Sequence, residues 1–144
     1  MKTSSMLLVS IQFACIGWFL FTAQYNAFHL VDGILLLGSI LLAISALLVM
    51  RWKNFTIMPE PKKSISLITK GPYAFVRHPM YSSVLLFCLS LLLTDPSLIQ
   101  LSVYIILLSD LVIKIHKEEK YLSAKFPEYG HYSTTTKRIL PFIW

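Results

Sequence analysis

Four apolar runs limit what this chain can fold into, at about 5–23, 34–50, 80–93 and 98–115. Hydrophobic residues make up 56% of the 144 residues and charged residues only 14%. Charged residues are about a quarter of an ordinary soluble domain. A helix needs about 20 residues to cross the hydrocarbon core of a bilayer, so the third run is short for a membrane span. The sequence predicts an all-α integral membrane bundle of about four transmembrane helices, in a single domain of residues 1–144.

The distribution of basic residues predicts the orientation of the bundle. The thirteen Lys and Arg residues precede the first run, lie between the second and third, or end and follow the fourth. The loops QYNAFHLVDG and TDPS contain none. Short loops rich in Lys and Arg stay in the cytoplasm. We therefore expect both termini to be cytoplasmic, in the bacterial inner membrane or another cell membrane.

The net charge of +6 comes from stretches that flank apolar runs. The expected partner of these stretches is the anionic lipid of one leaflet rather than nucleic acid. Cys15 and Cys88 lie inside apolar runs, without a CxxC or His-rich spacing, and predict buried thiols. His29, His116 and His131 are widely separated and are typical of solvated or interfacial histidines. The sequence predicts no metal site.

Helical periodicity continues beyond the fourth run through KIHKEEKYLSAKF. Ile115, Tyr121, Leu122 and Phe126 form an interrupted apolar stripe along it. Pro127 then ends the helix. The remaining EYGHYSTTTKRILPFIW reads as a loop that ends in an aromatic anchor at the membrane surface.

Two polar clusters lie at the edges of apolar runs. The segment Arg77–Pro79 directly precedes the third run, which alone is typical of a positive flank and a proline in the first turn of a helix. Asp110, Lys114 and Glu118 are spaced i, i+4, i+8, so one face of the fourth helix carries negative, positive and negative charge. An intramembrane carboxylate at Asp110 costs about 2.5 to 3.5 kcal/mol unless it is paired or turned toward a cavity.

The short TDPS turn makes the third and fourth helices neighbours, so that their cytoplasmic ends meet. One pocket at the membrane surface is then expected to be ringed by Arg77, His78, Tyr81, Lys114, Glu118 and Glu119. A cationic clamp, a carboxylate and aromatic faces suit a zwitterionic, partly apolar ligand. S-adenosylmethionine fits that description, and so does a phospholipid headgroup.

Two sequence blocks carry a resemblance to a known family. SLITKGPYAFVRHPMY, followed after two spans by EEKYLSAKFPEYGHY and the closing KRILPFIW, resembles the isoprenylcysteine carboxyl methyltransferase family and its phospholipid-methyltransferase relatives. The likeness covers about the last eighty residues, and the first two runs match only in being apolar. It implies a membrane enzyme that uses S-adenosylmethionine without a Rossmann fold. Cofactor-binding elements are then expected at 64–81 and 114–144, where a C-terminal helix and loop close the pocket.

The resemblance also implies the residues of the site. The cofactor-binding residues would be Ile65, Ser66, Leu67, Ile68, Tyr73, His78, Pro79, Met80, Tyr81 and Glu118. The catalytic residues would be Glu118, Arg77 and Lys114, of which Lys114 positions the substrate. The family has arginine where this chain has Lys114, and lysine cannot grip a carboxylate in bidentate fashion. The identity of the substrate therefore stays open.

The expected function is S-adenosylmethionine-dependent methyl transfer to a lipophilic acceptor that enters from the bilayer between helices. An isoprenylcysteine-like carboxylate ranks first as acceptor, then phosphatidylethanolamine-type amines, then small thiols. The protein mainly has to align the reactants and exclude water. A protonated acceptor would also need a base, for which Glu118, Glu119 and His78 are candidates. The alternatives from other classes are a non-catalytic lipid-binding scaffold and a transporter subunit, although no run carries a charge pathway at mid-bilayer depth.

Overall fold

Helices form most of the described chain. The computed structural model describes residues 2–54 and 66–140, with side chains at 4–50 and 66–140. The described α-helices are α1 (Lys2–Thr22), α2 (Leu30–Asn54), α3 (Pro79–Thr94), α4 (Leu98–Lys125) and α5 (Tyr129–Thr135). Two short 3-10 helices, Tyr25–Ala27 and Gly71–Ala74, precede α2 and α3.

The predicted all-α membrane bundle is confirmed. α1, α2 and α4 are long and apolar enough to cross a membrane, and α3 is an apolar helix of 16 residues. α2 begins at Leu30, one turn before the expected residue 34. Asp32 explains this early start, because its Oδ2 accepts a hydrogen bond of 2.8 Å from the backbone N–H of His29. A carboxylate in the first turn also suits the helix dipole.

The expectation of a loop after Pro127 is wrong in part. α4 ends at Lys125, as the proline predicts, but Tyr129–Thr135 then forms α5. A seven-residue helix is unstable in isolation, so tertiary contacts must hold it. Tyr129 and Tyr132 are buried, and α5 packs against α4.

The bundle is arranged around α3 and α4. α2 packs against α3, α1 packs against α4 and also touches α3, and α3 contacts α4. The buried core includes Cys15, Phe19, Leu85, Cys88, Leu91, Leu107, Leu111 and Ile115. Both cysteines are buried free thiols, as predicted. On α2 the buried residues Asp32, Ser39 and Ala46 recur every seven residues, which places small side chains on one stripe for close helix contact.

The two loops without basic residues meet at one end of the bundle. The backbone N–H of Gln24 donates to Thr94 Oγ1 at 3.1 Å, and Gln100 Nε2 donates to Thr22 Oγ1 at 2.7 Å. The start of α1 and the second half of α4 lie together at the opposite end. This placement agrees with the predicted orientation, which itself stays a prediction.

Candidate functional site

A tight turn against α2 positions the segment that precedes α3. Gly71 has φ +61°, and a Cβ there would lie 2.7 Å from Cγ2 of Val49. Glycine alone adopts this conformation without strain and permits the close approach. The 3-10 helix Gly71–Ala74 follows with Tyr73 buried, and Pro79 starts α3 at the position that suits proline. The Arg-His-Pro segment is thereby held against the second half of α4.

The chain after α5 covers this segment. The backbone N–H of Arg77 donates to the carbonyl of Lys137 at 2.7 Å, and that of His78 donates to the carbonyl of Arg138 at 3.0 Å. Val76 and Lys137 form an isolated parallel β-bridge. The chain after α5 therefore packs against the Arg-His-Pro segment, and its role in closing a cofactor pocket stays a prediction.

Glu119 is surrounded by basic side chains. Arg77 Nε donates to Glu119 Oε1 at 2.7 Å, and Arg138 Nε donates to Oε2 at 2.9 Å. His78 Nε2 lies 3.6 Å from Oε1. Arg77 also donates to the backbone carbonyl of Ser133 at 2.9 Å. Glu119 thus joins α4 to the segment before α3 and to the chain after α5.

The neighbouring Glu118 is directed toward a different set of groups. Its Oε2 accepts a hydrogen bond of 3.1 Å from the hydroxyl of Tyr81 and lies 3.5 Å from His78 Nδ1. The Glu118 side chain is 26% exposed, compared with 13% for Glu119. The expected meeting of the ends of α3 and α4 is confirmed by these contacts.

His78 lies between the two glutamates. Its ring is buried and stacks on Tyr81, with centroids 5.5 Å apart and planes inclined by 11°. Burial lowers the pKa of His78, but the two carboxylates of Glu118 and Glu119 within 3.6 Å of its ring nitrogens outweigh this effect. The net result is a pKa raised above the ordinary value of 6.5, which favours an imidazolium that balances the two carboxylates.

These groups border a cavity of about 270 Å³ between α1, α2, α3 and α4. Six of the predicted cofactor-binding residues line it: Tyr73, His78, Pro79, Met80, Tyr81 and Glu118. Arg77 lines it as well. Ser66, Leu67 and Ile68 do not line it, and Ile65 lies outside the described residues. The roles of all these residues stay predictions.

Comparison with known proteins adds a family to this geometry. A model of the isoprenylcysteine carboxyl methyltransferase (ICMT) family matches residues 30–124, about two thirds of the chain. The chain belongs to the ICMT family. Membership supports an integral membrane methyltransferase, in agreement with the apolar helices.

A curated relative of this ICMT family member is the cobalt-zinc-cadmium resistance protein CzcN of Cupriavidus metallidurans. It is 32% identical over 81 residues, which cover 56% of this chain and 38% of the relative. The chain thus spans well under half of that relative's length. No solved structure matches the chain. Among the residues that the structure describes, no group of three or more His, Cys, Asp or Glu residues could hold a metal ion.

In this family member, α1 supplies part of the cavity wall, which sequence reasoning missed. Gln12, Phe13 and Ile16 line the cavity, together with Met50 of α2. α1 precedes the residues that the family model matches. The only signal in the sequence is one glutamine in an apolar run, so the pattern gave no reason to place α1 at the site.

Lys114 lies behind the cavity wall. It is 0% exposed and is not among the lining residues. Its Nζ donates a hydrogen bond to Gln12 Oε1 and lies 5.8 Å from the centroid of the Tyr81 ring. The expected row of alternating charges along α4, Asp110, Lys114 and Glu118, is therefore interrupted, because the Lys114 ammonium donates to Gln12 of α1. Both carboxyl oxygens of Asp110 lack a hydrogen-bond partner in the described part of the chain.

Proposed function

We propose that this ICMT family member is an S-adenosylmethionine-dependent methyltransferase that modifies a lipophilic acceptor. The observation that carries the proposal is the convergence of Tyr81, His78 and Glu118 on one cavity where α3 meets α4. These residues come from the two sequence blocks that resemble the family, and the fold brings both blocks to the same wall.

The groups present at the cavity fit a zwitterionic methyl donor. Glu118 is a partly exposed carboxylate, and an ammonium group can pair with it. The hydroxyl of Tyr73 is buried and has no hydrogen-bond partner among the described residues, so it is available to a ligand. The ring of Phe13, which lines the cavity, suits a cationic centre or a flat ring. Together with His78, these residues would hold the cofactor.

When bound, S-adenosylmethionine supplies a methyl group carried on a sulfonium. Transfer of this methyl group to a carboxylate oxygen forms a carbon–oxygen bond and breaks a carbon–sulfur bond, with both electrons of the broken bond left on sulfur. No proton is released. The chain then has to bind, orient and exclude water rather than move protons. Two observations support this role: Glu119 is paired with Arg77, and the Glu118 side chain is 26% exposed where it borders the cavity.

The other half of the cavity suits an apolar substrate. Phe13 is 54% exposed although it lines the cavity, and Ile16, Met50 and Val84 lie beside it. α1 packs mainly against α4 while α2 packs against α3, and the opening between α1 and α2 is the route from the bilayer that we propose. A lipophilic acceptor would enter there, with its reacting group near Tyr81. Among acceptors, an isoprenylcysteine-like carboxylate ranks first.

A second apolar groove favours one alternative. It has a volume of about 710 Å³ and lies on the other side of α3, where it is lined by Leu85, Leu89, Leu108 and Ile139, among others. It shares no lining residue with the first cavity. A groove of this kind suits lipid chains, which a non-catalytic lipid-binding scaffold would also hold.

Methyl transfer in detergent micelles or nanodiscs separates these functions. The purified chain is incubated with S-adenosylmethionine labelled in the methyl group and with a prenylated cysteine, phosphatidylethanolamine or a small thiol. The expected result is base-labile methyl ester on the prenylated cysteine. Transfer to phosphatidylethanolamine would select the amine alternative. Absence of transfer and of saturable S-adenosylmethionine binding in monodisperse protein would overturn the proposal and favour the scaffold.

A further inference from the structure

Gln12 brings an amide into the apolar half of the cavity. It lies midway along α1, is 8% exposed, and lines the cavity beside Phe13 and Ile16. A buried amide in a membrane helix is unfavourable unless its polar atoms find partners. α1 also precedes the stretch that the family model matches, so the match itself assigns Gln12 no role.

Lys114 determines which end of the Gln12 amide is available. The Lys114 ammonium can only donate hydrogen bonds, so the atom that faces it must be the amide oxygen. The amide nitrogen therefore points elsewhere, and no described residue accepts a hydrogen bond from it. The hydrogen bond from the buried Lys114 ammonium thus fixes the Gln12 amide with its N–H groups directed away from Lys114.

We propose that Gln12 binds the methyl acceptor through its amide N–H groups and that Lys114 is the positioning residue behind it. The inference rests on the proposed methyltransferase function. Because the Gln12 N–H groups can only donate hydrogen bonds, they favour a methyl acceptor whose reacting group has lone pairs, such as a carboxylate oxygen. They form no hydrogen bond with an ammonium group. Glu118, a carboxylate on the same cavity, has the opposite preference. Gln12 would therefore hold the anionic methyl acceptor, and Glu118 would hold a cationic group of the methyl donor at a different place on the cavity wall.

Two substitutions at Gln12 test the proposal. Gln12→Met keeps the length of the side chain and removes the N–H groups. Gln12→Glu should preserve the fold, because it keeps the shape of the side chain and can still accept a hydrogen bond from Lys114. It places an oxygen in the cavity where the wild type has the amide nitrogen. With N-acetyl-S-farnesylcysteine as acceptor, both variants are expected to raise the acceptor KM about tenfold or more, the effect of losing a hydrogen bond to a charged group. The dissociation constant for S-adenosylmethionine should change less than twofold.

Gln100→Met is the matched control. Gln100 is a buried glutamine at the other end of the bundle, and its Nε2 donates to Thr22 Oγ1. Removing its amide should lower stability while leaving the acceptor KM unchanged. Lys114 is tested by two substitutions. Lys114→Met should raise the acceptor KM. Lys114→Arg keeps a hydrogen-bond donor toward Gln12, so its acceptor KM should stay close to the wild-type value.

The outcomes separate this inference from the function on which it rests. An acceptor KM within twofold of wild type in both Gln12 variants would overturn the inference. An equal rise of KM in Gln100→Met would also overturn it, because the effect would then follow stability. A wild-type chain that binds no S-adenosylmethionine would instead contradict the proposed function.

Discussion

The hydroxyl of Tyr81 on α3 donates a hydrogen bond of 3.1 Å to Oε2 of Glu118 on α4. The next residue, Glu119, takes its hydrogen bonds from Arg77 and Arg138 instead. Two adjacent carboxylates thus have separate surroundings: one borders the cavity and the other is enclosed by cations. This division predicts that the same substitution will have different consequences at the two positions.

Glu119→Gln should destabilise the folded chain. Loss of the carboxylate leaves the guanidinium groups of Arg77 and Arg138 without their shared counter-charge, at a cost of about 3 kcal/mol. Thermal unfolding of the detergent-solubilised protein is the measurement. Glu118→Gln is the matched control and should shift the midpoint much less, because its side chain is more exposed. Equal shifts in the two variants would contradict the division of roles.

Arg77→Lys should loosen the chain that covers the site. The Arg77 guanidinium donates to Glu119 and to the carbonyl oxygens of Ser133 and Thr136 at once, and one ammonium group cannot reproduce that fork. Faster amide hydrogen exchange is expected at 129–139, while exchange in α2 should not change. Lys137→Ala, at an exposed side chain, is the control. Unchanged protection at 129–139 in Arg77→Lys would show that Arg77 does not hold this segment.

Stability should depend on pH through His78. Because its folded-state pKa is raised, the stabilisation is complete below the ordinary value of 6.5 and is lost as pH rises through the folded-state pKa. The groups facing the ring are Glu118, Glu119 and Tyr81. The unfolding midpoint should therefore fall as pH rises above 6.5, and His78→Gln should remove that part of the dependence. A wild-type midpoint that rises over this range would contradict the predicted sign.

Membrane orientation is open to labelling with an impermeant maleimide. Asn26→Cys places an exposed thiol in the loop before α2, and Ser123→Cys places one near the end of α4. The native Cys15 and Cys88 are buried and should give a low background. Intact cells should label the first variant, whereas the second should react only after permeabilisation. The reverse pattern would contradict cytoplasmic termini.

Sequence reasoning located the part of the site that short-range constraints determine. The TDPS turn is too short to separate α3 from α4, so their ends had to meet, and Tyr81 and Glu118 are in contact. The four apolar runs were long enough to show their helical nature. These features follow from chain connectivity and hydrophobicity, which a single sequence displays directly.

The remaining features depend on tertiary contacts that no local pattern displays. α5 exists because Tyr129 and Tyr132 are buried, although seven residues seldom form a helix alone. The direction of Lys114 depends on Gln12, which is about a hundred positions away in the chain. The spacing of charges along α4 predicted that Lys114 pairs with Asp110, because the sequence of one helix cannot reveal a partner on α1.

The central claim is that the cavity lined by Tyr81 and Glu118 binds S-adenosylmethionine, and isothermal titration calorimetry on the purified, detergent-solubilised chain tests it most directly. The account predicts saturable binding at a single site, weakened at least tenfold by Glu118→Gln and left within twofold of wild type by the Gln100→Met control. Monodisperse wild-type protein that shows no binding, or binding that Glu118→Gln does not change, would contradict it.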